Sequence, residues 1–389
     1  MQALRALILN SGRHVDYDHM IAEAWHGTLV SKHTVAVTVG EVKDVLKEFG
    51  AWISYRPKLG YRLDVPQSDD LIRKGWHFWN RSTREGFEKA LVCFQQAALD
   101  CENDARAFKG IAMSYMMLGA YGMKAPREMY AGFIDAHKRT VALSGLTPEL
   151  RADRAHAMHV FERRFAYAES ELLRSLEEDP NIPIVCQALA MVYSTSGRFE
   201  EARRMLTRAA DADPLLPIVP VTEIFVHLCS RQYDCAVASG KSTLDLHPYL
   251  PLARALYCQA LEFTGRLEAA LEQARLAFLM APDLLWIRSH EAVLNAKLGR
   301  RIEALSILDE MEDSRASDYI DAYQMAILYD AVGRSDDAFR EMERAARENS
   351  AMLFMLDVDP KMDPLRQDRR FAHFRSKVFC PEQARQAAS

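Results

Sequence analysis

The sequence carries no CxxC pair, no long apolar run and no strong excess of either charge. Each absence excludes something. Seven cysteines (93, 101, 186, 229, 235, 258 and 380) are an odd number without metal-site spacing. They read as reduced thiols buried as small apolar groups in a cytoplasmic protein, with Cys229–Cys235 the only bridge considered. No stretch reaches the roughly 18–20 apolar residues that span a bilayer, and no signal peptide opens the chain, so no membrane partner is expected. A net charge of −5 and a pI near 6.2 argue against a wholly basic nucleic-acid coat. They leave room for one small DNA-binding unit on an acidic body. GxSxG, HExxH and Gly-rich phosphate or dinucleotide turns are missing, so no enzymatic activity and no cofactor are expected. His156 and His159 stand three apart on a helix, as metal ligands do, but lack a third donor. Packing is the reading preferred for them.

What is present is self-similarity. Pro180, Pro214, Pro248 and Pro282 are 34 residues apart, and Gly197, Gly265, Gly299 and Gly333 share that grid with Arg231 in the missing slot. Ala168, Ala202, Ala236, Ala270, Ala304 and Ala338 form a third series. Proline ends a helix, glycine supplies the φ > 0 residue between two helices, and a small alanine lets the second helix approach its neighbour. Each unit is a helix pair that must stack to bury its apolar face.

These slots, with Tyr193 and Tyr329 in an aromatic position and Ala190 and Ala326 in a small one, resemble the tetratricopeptide repeat (TPR). Repeats start near 149, 183, 217, 251, 285 and 319. Two earlier ones follow from helices at 86–100 and 107–121, and ten extra residues lengthen a helix around Pro126–Leu143. The expected fold is mainly α: a TPR solenoid of about eight helix pairs over 67–352, then a polar cap and tail over 353–389.

The first 66 residues differ. Leu4, Leu7 and Ile8 mark a helix ended near Gly12, and Asp16 caps a second that carries Met20, Ile21 and Trp25. Val35, Val39, Val42 and Leu46 form the core stripe of a third. Two strand-like runs flank Pro57-Lys58-Leu59-Gly60. Three helices and a hairpin make a winged helix-turn-helix. The order, with Gly12, Val15, Trp25, "TVAVTV" and Gly60-Tyr61-Arg62, resembles the OmpR/PhoB-type winged helix of bacterial transcription regulators. That family has a small sheet before its first helix, so the domain is either trimmed here or begins upstream.

The resemblance implies that the third helix enters the DNA major groove, placing His33, Thr34, Val37, Thr38, Glu41 and Lys43 at DNA, with Tyr55, Arg56 and Lys58 on the wing. Glu41 and Asp44 stand where the family carries basic residues. Residues 1–66 hold eight Lys/Arg against seven Asp/Glu, a net of +1. Affinity that depends on counterion release is therefore weak for a monomer, and a homodimer on paired half-sites is the expected remedy.

The solenoid's inner face is expected to present Met191, Ile218, Phe225, Gln259, Trp286 and Tyr323 to a protein or peptide. The "WHFWN" cluster, Trp76 to Asn80, is expected to staple the winged helix to the first repeat. Together these readings describe a one-component transcription regulator; the alternative is a TPR adaptor whose winged helix no longer binds DNA.

Overall fold

A computed structural model describes residues 2–28, 30–47, 52–64 and 67–379, without the side chains of 44–47, 52, 64 and 67. Asp44 and Leu46 of the sequence reading, and the tail from Cys380, therefore lie outside what is described.

The N-terminal unit contains α1 (Gln2–Leu9), β1 (His14–Val15), α2 (Tyr17–Trp25), α3 (Lys32–Lys47), β2 (Trp52–Arg56) and β3 (Gly60–Asp64). Asp16 caps α2 by accepting from His19 N at 2.8 Å. The strands form an antiparallel sheet in the order β1-β3-β2, with Tyr55 opposite Tyr61 and Val15 opposite Tyr61 on the other edge. The two-residue β1 is a strand the sequence reading missed, because nothing so short leaves a periodic signal. It explains Gly60: φ is +91°, and a Cβ there would overlap the Val15 carbonyl. Leu7, Met20, Val35, Val39, Ile53 and Leu63 make the core, with Val42 and Trp25 half-buried against it.

Sixteen helices follow as pairs: α4 (Gln67–Trp79) with α5 (Arg84–Asp100), α6 (Ala105–Ala120) with α7 (Pro126–Ser144), and α8 (Pro148–Glu162) with α9 (Phe165–Glu178). Then come α10 (Pro183–Thr195) with α11 (Phe199–Ala212), α12 (Ile218–Cys229) with α13 (Tyr233–Leu246), and α14 (Pro251–Phe263) with α15 (Leu267–Met280). The last are α16 (Leu285–Lys297) with α17 (Arg301–Ser314) and α18 (Ala322–Ala331) with α19 (Ser335–Glu348). The insertion lengthens α7 as expected, to 19 residues against 14 in α9. All six register alanines are fully buried at 0% exposure, which is why no larger residue fits there. The register glycines take φ of 75–80°.

Trp76 and Trp79 correct one expectation. They pack inside the solenoid, Trp76 on Phe94 at 5.1 Å and Trp79 on Phe87 at 5.7 Å, rather than stapling the N-terminal unit. Their aromatic faces are used in closing α4 onto α5.

The superhelix curls until its early pairs meet its late ones. Phe87, Leu118 and Met123 share a core with Ala277, Ala281, Leu284 and Ile287. Arg84 pairs with Asp318, and Arg127 donates to the Arg347 carbonyl at 2.6 Å. After α19, two 3-10 turns (Ala351–Met355 and Pro360–Met362) and α20 (Asp363–Arg366) break the period, and α21 (Arg369–Phe379) covers α19. Phe371, Phe374 and Val378 seal that end, as a cap should. Among the described residues, no helix is long and apolar enough to cross a membrane.

Candidate functional site

The first helices of neighbouring pairs pack on one another, α8 on α10, α10 on α12, α12 on α14 and α16 on α18. They form the inner layer. Gln187 of α10 donates to Thr222 of α12 at 2.8 Å, fixing one such step. Of the six residues expected on the inner face, Met191, Ile218, Phe225, Gln259 and Trp286 are half-buried. Tyr323 is wholly buried at 0% exposure and is corrected as an available contact. It is covered because its hydroxyl donates to Asp359 at 2.9 Å, within the chain's own return segment.

That segment, residues 350–366, is what the sequence reading did not foresee. From 353 on it was read as part of a polar cap, and only α21 behaves so. Ala351 and Phe354 enter the core that holds Phe161 and the edge of Met191, while Leu353, Leu356 and Met362 enter the core around Tyr323. The Phe354 ring stands edge-on to His159 of α8, centroids 5.2 Å apart. Ser350 Oγ donates to Asp321 at 2.7 Å, and Lys361 touches His290 of α16. A stretch this short touches α8, α16 and α18 only by crossing the inside of the curve.

One arginine holds the segment itself and a second holds Asn349, the residue just before it. Arg231, after α12, has φ 61° and donates to the Val358 carbonyl and, at 2.8 Å, to Asp363. Arg163, after α8, has φ 56° and donates to Asn349 Oδ1 at 2.8 Å. Asn349 returns a bond to the Phe161 carbonyl at 3.0 Å. Both arginines occupy the register slot that is glycine at 197, 265, 299 and 333. A side chain at positive φ costs about 1–2 kcal/mol relative to the right-handed region, so each is held against a local cost. The signal was legible as an exception in the register, though not what the exception served.

Burial sets the electrostatics here. His159 is fully buried, donating to or accepting from Thr195 Oγ1 at 2.8 Å, and burial holds its pKa well below the usual imidazole value. The same cause, with the nearby Lys361, lowers His290. Burial lowers the Lys361 ammonium, with Glu262 working against it. Cys229 and Cys258 are pushed up by burial, Cys258 to about 12, so neither thiol is primed as a nucleophile. Cys229 and Cys235 are both free. His156 and His159 lie 6.2 Å apart ring to ring, and no group of three metal donors exists among the described residues.

On the N-terminal unit, His33, Thr34, Val37, Glu41 and Lys43 of α3 are exposed and Thr38 is half-exposed. Tyr55, Arg56 and Lys58 of the hairpin are exposed as well. Tyr17, Tyr55 and Tyr61 cluster at the hairpin base, with Lys32 over the Tyr17 ring at 5.3 Å. Tyr17 and Lys32 were not singled out from the sequence, since the sheet register alone brings α2 and the hairpin together.

No protein-family model matches the chain, and no match was found among the curated proteins. Solved structures do match in fold. Human IFIT1, solved as a dimer with m7Gppp-AAAA, is 14% identical over 85% of this chain and 80% of its own, with a TM-score of 0.55. A monomeric IFIT1 mutant with Gppp-AAAA is 13% identical over 85% and 84%, with a TM-score of 0.52. A tetratricopeptide repeat protein from Parabacteroides merdae ATCC 43184 is 9% identical over 69% of this chain and 98% of its own, with a TM-score of 0.44. The solenoid has a TPR-like fold. At these identities the likeness is one of fold alone.

Proposed function

We propose that the protein is a non-enzymatic interaction scaffold, an adaptor whose TPR solenoid holds a protein partner. The observation that carries this reading is the inner layer of first helices, stacked from α8 through α14 and again from α16 to α18, which offers the half-buried Met191, Ile218, Phe225 and Trp286. Such a face suits an extended or helical segment of another protein. Free thiols at Cys93, Cys101, Cys186, Cys229, Cys235 and Cys258 agree with a cytoplasmic home. The test is photocrosslinking in cells, with a photoreactive residue at inner position Gln259 or outer position Glu200. A partner protein crosslinked from Gln259 and not from Glu200 supports the reading. Equal capture from both, or from neither, defeats it.

A second reading adds DNA. It is favoured by the exposed row on α3 and the hairpin, set against a buried Val35–Val39 side. That arrangement resembles an OmpR/PhoB-type winged helix, which would make the protein a one-component transcription regulator. Purified protein challenged with its own upstream DNA across a salt series decides it. Salt-dependent, sequence-selective retention supports the regulator, and no retention at low salt removes it.

A further inference from the structure

We propose that residues 350–366 are an intramolecular ligand, occupying the inner face in place of a partner segment of the same chemistry. That chemistry is an aromatic anchor, Phe354 here, followed by the two carboxylates that meet the solenoid, Asp359 and Asp363. The inference rests on the scaffold reading and names what the scaffold receives.

Three observations converge on it. The segment belongs to no repeat, yet it lies where a ligand of the solenoid would lie, reaching α8 through Phe354, α16 through Lys361 and α18 through Asp359. One ion pair ties it to its seat: Arg231 donates to Asp363 and to the Val358 carbonyl. The third observation concerns where strain sits. In four repeats the turn slot is an unstrained glycine; in one it is Arg231, at positive φ, whose guanidinium holds Val358 and Asp363, and in one Arg163, at positive φ, which holds Asn349 just ahead of the segment. Ser82 fills the slot of the first pair at φ 54°, so what sets the arginines apart is reach: each guanidinium bonds its own turn, at the Cys229 or Phe161 carbonyl, and also the returning chain.

The segment's hold divides between a buried apolar part and a polar part at the rim. Leu356 and Met362 are 0% exposed, whereas the Arg231 and Asp363 side chains are 35% and 45% exposed. A competitor carrying an aromatic residue and two carboxylates can therefore exchange first at the rim carboxylate and then at the Phe354 site. Partner binding and release of residues 350–366 become one competitive equilibrium.

The test uses the full chain. In the wild type, native-state hydrogen exchange should show amides of 350–366 opening at least about tenfold faster than the cores of α16 and α18, as a separate cooperative unit. A labelled synthetic peptide, SAMLFMLDVDPKMDPLR, should bind the Phe354→Ala/Asp363→Ala double variant at least about tenfold more tightly than it binds the wild type, whose seat is filled. A peptide carrying the same two substitutions should not bind. Equal peptide binding to variant and wild type, or none to a variant that keeps its helical signal, overturns the proposal. Should the variant not fold, exchange in the wild type decides: opening of 350–366 only together with α16 and α18 makes the segment part of the core and overturns it. A partner that crosslinks from Gln259 while the protection of 350–366 stays unchanged leaves the scaffold standing and defeats this inference alone.

Discussion

Arg231→Gly separates two energies that the native residue combines. Glycine is the residue of the same slot at 197, 265, 299 and 333, where φ is 75–80° against 61° at Arg231. Relief of the left-handed strain, less the extra freedom glycine gives the unfolded chain, stabilises the α12–α13 turn by about 0.5–1 kcal/mol. Against this stands the loss of the guanidinium's bonds to the Val358 carbonyl, to Asp363 at 2.8 Å and, within its own turn, to the Cys229 carbonyl at 2.8 Å. The Asp363 pair is over one third exposed on both sides, so it contributes at most about 1 kcal/mol. The Val358 carbonyl bond to a charged donor adds about 1.5 kcal/mol. The hold on residues 350–366 should therefore weaken by about 2 kcal/mol, which is about 30-fold in an opening constant. Hydrogen exchange read by mass spectrometry should show that acceleration in the return segment while α12 and α13, where relief of strain offsets the lost Cys229 bond, stay about as protected as before. Arg231→Ala, which keeps the strain and loses the bonds, should loosen both. If the segment's exchange is unchanged in the glycine variant, or α12 and α13 loosen with it, the division of strain and grip is wrong.

Other expectations follow from single residues. His159 is buried neutral, so its contribution is complete above the unfolded value near 6.5 and is lost as pH falls below it, because the unfolded chain takes up a proton that the fold refuses. His159→Gln should flatten the fall in urea stability between pH 7.5 and 5.5 by up to about 1.4 kcal/mol per pH unit, and an unchanged slope would place the pH sensitivity elsewhere. Gly110→Ala puts a methyl into the Phe94 ring and should cost about 1–3 kcal/mol in a denaturant melt. Gly40→Ala, with open space at its Cβ, should stabilise the N-terminal unit by about 0.5–1 kcal/mol. Glu41→Lys, on an exposed position of α3, should steepen the logarithmic salt dependence of DNA retention by about one if that face meets phosphates.

The solenoid was legible because its register repeats the same physical demand at fixed spacing. Ala168 through Ala338 had to be small, and all six are fully buried. The three helices and hairpin of residues 1–66 were legible from the Val35–Val39 stripe and the Pro57–Gly60 turn, whereas β1, only two residues long, was not. The inner face was legible only as a list of residues. Tyr323 was expected to be free and is buried, because periodicity says which side a residue takes and nothing about what returns to cover it. Leu356, Asp359 and Met362, which do the covering, lie beyond the period in a stretch whose irregular 3-10 turns leave no pattern to read. Trp76 and Trp79 misled for a similar reason: a cluster of large aromatics announces packing without naming its partner.

The meeting of Phe87 and Leu118 with Ala281 and Leu284 has a consequence for how the molecule comes apart. An open solenoid frays from its ends, because each repeat leans only on its neighbours. Here the second helix pair also leans on the sixth and seventh, and Arg84 reaches Asp318 across 234 positions of chain. Contacts of such sequence separation form late and at a high loop-closure cost, so folding should be slow for a helical protein. Once made, they remove the free ends from which stepwise melting starts. Loss of any one pair then propagates around the ring, and the solenoid should melt in one transition where an open array of equal length would melt in several.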